Sequence, residues 1–162
     1  MVFKIVIHLI LATSTSLSAN EIDWRDLELR SDDRKAVTRE DVGERAEACL
    51  GRRVTIRGFI NPSSVFSTKK TESFIVWAEV QDAQVPPGSD SLPLHRIAIV
   101  EMVDGKTIDL NLNHPVKITG KIVVHIARYQ DGRIQTFYKI LADRVEIAKP
   151  RKGWHSAVNE GC

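Results

Sequence analysis

Hydrophobic and polar residues alternate along most of this chain from Arg52 onward, and the alternation is clearest in two stretches that nearly repeat each other. Residues 54–60 read VTIRGFI and residues 116–122 read VKITGKI. In each, Val and Ile (Val54 and Ile56, Val116 and Ile118) fall on one face, while Thr55, Arg57, Lys117 and Thr119 fall on the other. That period of two predicts half-buried β-strands. Each copy then carries a glycine, Gly58 or Gly120. Glycine inside a strand marks a kink, a bulge or the close approach of another backbone.

The same pattern predicts five strands, at 52–60, 73–80, 95–102, 116–127 and 134–147. Asp131-Gly132 provides a hairpin turn between the last two, and Asp104-Gly105 closes the third. The segment 107–115 has an ambiguous period and reads as either a short strand or a helical turn. Residues 81–93 form an irregular loop long enough to suggest a functional role. Five strands with kinking glycines in the first and fourth predict a mainly β fold, a small OB-like barrel in which a coiled strand serves both halves of the sheet. A β-sandwich is the alternative architecture.

One helix is expected ahead of the strands, over 39–50. Thr38 would cap it, Glu40 and Asp41 place negative charge in its first turn, and Gly51 would stop it. Val42, Ala46, Cys49 and Leu50 line one narrow apolar face, so this helix is expected to pack on the barrel. The residues before it, 20–38, are polar and charged, with Trp24 and Leu27 as apolar contacts.

The first residues change the picture of where the protein works. MVFKIVIHLILATSTSLSAN has an early Lys4, an apolar run over 5–11 and then small residues, the layout of a cleavable signal peptide over 1–19. The run is too short to span a bilayer, so the mature chain is expected in the periplasm with no stable membrane insertion. This gives 1–19 as signal peptide, 20–50 as N-terminal segment and helix, 51–148 as the β-barrel domain and 149–162 as a C-terminal tail. Charge is nearly balanced, 23 Lys and Arg against 21 Asp and Glu, which argues against nucleic acid as a partner. Export would also let the only two cysteines, Cys49 and Cys162, form a disulfide. Two unpaired thiols, with Cys49 buried on the helix face, is the other reading.

Candidate chemistry is sparse. His95, His114, His125 and His155 lack the short spacing of metal ligands, so no metal or other cofactor is expected. No nucleophile elbow or nucleotide-binding glycine loop is present, so no catalytic residue is assigned and the protein is read as a non-enzyme. Trp77, Tyr129, Phe137 and Tyr138, with Arg96, Arg128, Arg133 and Lys139 nearby, superficially fit a single-strand binding groove. Strand aromatics more often build the core, and export removes the protein from nucleic acid. In the tail, Lys149, Arg151, Lys152 and Trp154 suit a surface segment pinned by the tryptophan, or contact with a membrane surface or an acidic partner.

The ordered set Asp23-Trp24 with Leu27, then Gly51, Val54, Ile56, Gly58, Phe59 and Pro62, resembles an exported bacterial family known as domain of unknown function family 3299. Phe74-Ile75-Val76, Pro86-Pro87 and the run from Pro115 to Gly120 continue the resemblance, and Tyr138, Ala142 and Val145 fit its last strand. The resemblance spans about residues 21–147. It implies an exported protein with a small β-rich domain, and some members look like accessories of transport systems linked to metal, including zinc, supply. In that family's pattern a Cys-x-His precedes a proline run ending in Asn-Gln. Here the matching stretch is Asp82-Ala83-Gln84-Val85-Pro86-Pro87, so a metal role does not transfer. The expected function is binding of a protein partner or small ligand, and the candidate binding residues are Trp77, Asp82, Gln84, Pro86, Pro87 and Tyr129.

Overall fold

A computed structural model of the chain describes residues 19–78, 92–112 and 114–149. Its strands are β1 (Asn20–Glu21), β2 (Arg53–Ile60), β3 (Ser73–Trp77), β4 (Ile97–Met102), β5 (Val116–Arg128) and β6 (Ile134–Ile147). They form one mixed sheet in the order β1-β2-β3-β4-β6-β5, and a further pairing of β2 with β5 closes a ring of hydrogen-bonded strands. The pairs β1–β2 and β4–β6 are parallel and the others antiparallel.

The two near-identical strands are each other's partners. In the β2–β5 register Val54 faces Gly120, Ile56 faces Ile118 and Gly58 faces Val116. Each glycine therefore lies opposite the valine that opens the other copy. Neither glycine has room for a side chain. A Cβ on Gly120 would stand 2.3 Å from the Leu141 carbonyl oxygen, and one on Gly58 would stand 2.6 Å from both the Trp77 oxygen and Val76 Cγ2. β5 shifts register against β6 between Thr119 and Gly120, and such an irregularity bends a strand. Bending lets β5 serve β2 over its first half and β6 throughout.

Inside the ring, Ile56, Ile118, Ile122, Ile140, Val76 and Val100 are buried, as the alternation predicts. Two polar atoms share this interior. The hydroxyls of Thr136 and Tyr138, two residues apart on β6, find no hydrogen-bond partner among the described residues. Burial pushes the Tyr138 phenol well above its usual range. An unpartnered buried hydroxyl costs desolvation that a methyl or hydrogen would not. Tyr138→Phe is therefore expected to stabilise the fold by about 1 kcal/mol in urea denaturation. The linkage has a definite sign. The unfolded phenol ionises before the folded one, so above its unfolded value stability falls as pH rises. Phenolate absorbance should show a step coincident with alkaline unfolding, and the Phe variant should lose it.

The N-terminal segment belongs to the same core. Ile22 N–H continues the β1–β2 pairing to the Thr55 oxygen at 2.9 Å, which leads the chain along β2 to Trp24. A 3-10 turn at Trp24–Leu27 is capped by Asp23 and Asp26. Trp24 Nε1–H donates to the Arg57 oxygen at 2.6 Å, and both Trp24 and Leu27 are buried. The tryptophan thus docks on its own sheet, where β2 parts from β3. Further on, Arg34 donates to the Leu92 oxygen at 2.6 Å and the Ile134 oxygen at 3.0 Å, and its own carbonyl accepts the Ile134 N–H at 2.7 Å. Asp32 accepts the Leu94 N–H at 2.7 Å. These bonds fasten the segment across the ring end formed by the start of β4 and the β5–β6 hairpin.

Several boundaries differ from the sequence expectation. The helix is shorter: a 3-10 turn at Arg39–Asp41, a break, then α1 at Glu44–Cys49. Val42 pairs with Leu29 in an isolated bridge and Gly43 N–H donates to the Glu28 oxygen at 3.2 Å. A Cβ on Gly43 would come within 2.6 Å of that oxygen. A tertiary backbone contact therefore interrupts a helical pattern. Thr38 caps the 3-10 turn instead, its N–H donating to Asp41 Oδ2 at 2.7 Å. The second strand ends at Trp77, and residues 95–96 belong to a 3-10 turn ahead of β4. Within 107–115 only the Thr71–Ile108 bridge forms among the described residues. Residues 1–18 of the expected signal peptide 1–19 lie outside the described residues, and so does Cys162, the expected partner of Cys49.

Candidate functional site

Of the six candidate binding residues, Trp77 and Tyr129 are described; Asp82, Gln84, Pro86 and Pro87 lie outside the described residues. Trp77 ends β3 and stands directly opposite Phe59 on β2 and Ile97 on β4. Directly opposed residues project from the same face. Val76 and Val100 point inward, so Phe59 and Trp77 stand on the outer face, each half-buried. Below them Ile75 and Ile99 are paired and also half-buried. The outer side of β2, β3 and β4 thus carries a short aromatic and aliphatic row, bordered by the paired Ser73 and Glu101. Phe59 is the member that the sequence reading passed over; its place in the VTIRGFI alternation, on the face away from Ile56 and Ile60, was the signal available.

Tyr129 follows β5 in the turn that leads to β6. Its N–H donates to the Arg133 oxygen at 2.8 Å, and the Arg133 guanidinium sits 5.7 Å from its ring centroid. Arg133 also holds Asp131 at 2.7 Å and keeps that carboxyl below its usual range. Trp77 and Tyr129 lie toward the same end of the ring, but β4 and β6 come between their strands. That separates them by roughly 14 Å at ordinary strand spacing. One small ligand would not bridge both side chains, although an extended one would.

Phe137 and Tyr138 are fully buried and pack edge to face, with centroids 5.1 Å apart. They are core residues, as expected. Lys139 pairs with Glu101 at 2.7 Å across the outer face. Burial pushes the Cys49 thiol up, with Asp26 adding to the effect, which leaves little thiolate at neutral pH. Burial also lowers the His95 imidazole, and Arg96 lowers it further. Among the described residues no three His, Cys, Asp or Glu side chains gather to hold a metal ion. No helix among them is long and apolar enough to cross a membrane.

Two open grooves, of about 640 and 490 Å³, flank Arg30 and Glu44 on the N-terminal segment. Their walls mix charges, including the Arg39–Glu47 pair at 2.7 Å. Neither groove brings together a nucleophile and a base.

No family model matches the sequence, and no curated protein matches it. Among solved structures, the chain is similar to a DUF3299 family protein from Pseudomonas aeruginosa PAO1, with a TM-score of 0.55 and 17% identity, covering 83% of this chain and 99% of that one. A provisionally assigned aspartyl-tRNA synthetase from Leishmania major Friedlin aligns at a TM-score of 0.40 and 12% identity, over 86% of this chain and 23% of that one. The fold is therefore that of a DUF3299 family protein, the same family that the sequence itself resembles.

Proposed function

We propose that the closed ring is a small barrel of the oligonucleotide/oligosaccharide-binding type, and that the protein is exported to the periplasm. There it works without catalysis, by binding a protein partner or small ligand. The fold reading is supported by the order β2-β3-β4-β6-β5 returning to β2. In such barrels the outer face of the second and third strands is the binding surface; here those strands are β3 and β4. The observation that carries the site is the half-buried Phe59–Trp77 pair on that face. Aromatic side chains offer large contact area at low entropic cost, which makes them common binding anchors. The residues between β3 and β4, including Asp82, Gln84, Pro86 and Pro87, are bracketed by the paired Trp77 and Ile97.

Native mass spectrometry of the protein recovered from a periplasmic extract, without reduction and after crosslinking, tests this reading. A mass excess lost on denaturation, or a crosslinked partner, is expected. Trp77→Ala should cut that occupancy at least tenfold while leaving the circular-dichroism melt in place. Equal occupancy in the variant would count against the Phe59–Trp77 face, and a bare chain in both would count against ligand or partner binding altogether.

A further inference from the structure

The strand ends divide the ring into two poles. The N-terminal segment is fastened across one. At the other lie the end of β2, the start of β3, the end of β4, the start of β5 and the end of β6, because Gly58 pairs with Val116, Val116 with Ile147 and Ser73 with Glu101. The segments 61–72 and 103–115 meet there, joined by bonds in both directions between Thr71 and Ile108.

Both large apolar side chains exposed among the described residues sit at this second pole: Phe66 at 106% and Ile147 at 63% of full exposure. Phe66 is displayed by a constrained loop. Asn61 Oδ1 accepts from Ser63, Ser64 Oγ accepts the Ile75 N–H at 2.9 Å, Thr68 accepts the Leu110 N–H at 2.7 Å and Asp109 accepts the Lys70 N–H at 3.2 Å. A fixed backbone around a fully exposed aromatic lowers the ordering cost of inserting that side chain elsewhere. Lys69, Lys70, Lys106 and Lys149 are exposed on the same pole. Glu72, Asp104 and Asp109 are exposed there too, so the described lysines leave only a small positive balance. Ion pairs within the described residues involve none of Lys69, Lys70 or Lys149. The described part of the chain ends at this pole, at Lys149.

We propose that this pole adsorbs to the surface of an anionic phospholipid bilayer, with Phe66 and Ile147 entering the interface and the lysines facing headgroup phosphates. Each cation near such a surface contributes modestly, and a buried aromatic supplies the apolar part. The contact is peripheral and reversible. It lies on the pole opposite Tyr129 and does not depend on the binding face proposed above.

The test is co-sedimentation of the purified protein with vesicles of phosphatidylglycerol and phosphatidylethanolamine, against vesicles of phosphatidylcholine alone. Binding is expected on the anionic vesicles only and should weaken as salt is raised. Phe66→Ser should lower the partition coefficient about tenfold. Because Phe66 is fully exposed, the variant should melt as the parent does, which separates lost docking from lost folding. Absence of parent binding to anionic vesicles at low salt would overturn the proposal, and so would equal binding by the variant. Self-association without lipid that Phe66→Ser abolishes would also overturn it, assigning the pole to a second copy of this chain.

Discussion

Gly120→Ala is expected to destabilise the protein by about 3 kcal/mol, lowering its thermal midpoint by about 10 °C. The added methyl would stand 2.3 Å from the Leu141 oxygen, 2.7 Å from Ala142 Cα and 2.8 Å from the Leu141 carbonyl carbon. All three are backbone atoms of β6, so no side chain can swing aside, and the strands must part where β5 contributes most to the ring. Gly58→Ala should behave similarly, since one of its two nearest atoms is the Trp77 backbone oxygen. A useful control is Gly105→Ala. That glycine has a φ of +63° and no atom within 4 Å of a built Cβ, so its cost is conformational alone, about 1 kcal/mol. Urea denaturation of the three variants separates the two causes. Equal losses at Gly120 and Gly105 would mean that close strand approach does not set the stability of the ring.

The second large effect is expected at Trp24. Trp24→Ala removes a side chain that is only 6% exposed and should cost about 4 kcal/mol, from lost burial and the cavity left between β2 and β3. It also strands the Arg57 oxygen, which now accepts Nε1–H at 2.6 Å. Trp24→Phe keeps most of the apolar contact and loses only that bond, so a loss of about 1 kcal/mol is expected from the bond itself. Hydrogen exchange should localise the damage. In the alanine variant, amides of 22–38 should exchange faster than those of β5 and β6, because Trp24 is the large buried side chain among the contacts that fasten this segment to the ring. Uniform acceleration would instead make the segment an inseparable part of one cooperative unit.

Gly58, Gly120 and Trp24 stand out in the sequence, but the contacts that give them their roles do not. Alternation placed β6 at its observed bounds and β5 within one residue, because a strand with one face inward must repeat every two residues whatever its partners are. Gly58 and Gly120 were legible as strand glycines. Their reason lay in the register that sets each opposite the other copy's valine and against a third backbone. Trp24 was legible as an apolar contact in a polar segment, whereas its destination, the gap where β2 leaves β3, depends on where β3 stops. The helix expected over 39–50 begins only at Glu44 for a similar reason. The amphipathic pattern runs on through Val42, but Val42 and Gly43 are weak helix formers, and the Leu29–Val42 bridge and the Gly43–Glu28 bond satisfy their backbone groups across the segment instead.

The candidate site was less legible. Trp77 stood out as a strand aromatic, but its pairing with Phe59 required the β2–β3 register, and its separation from Tyr129 required the strand order. The exposure of Phe66 has no sequence signature, since the same residue in a loop is as compatible with a buried position. By itself the sequence determined five of the six strand segments, their inward faces and the family likeness, all of which follow from local periodicity and residue order; the two-residue β1 is too short to carry a period. Only the tertiary structure decided that the repeated strands pair with one another, that the N-terminal segment closes one pole and that Phe66 and Ile147 mark the other. Those facts depend on contacts between residues far apart in the chain, and the pattern of a single strand does not specify its neighbours.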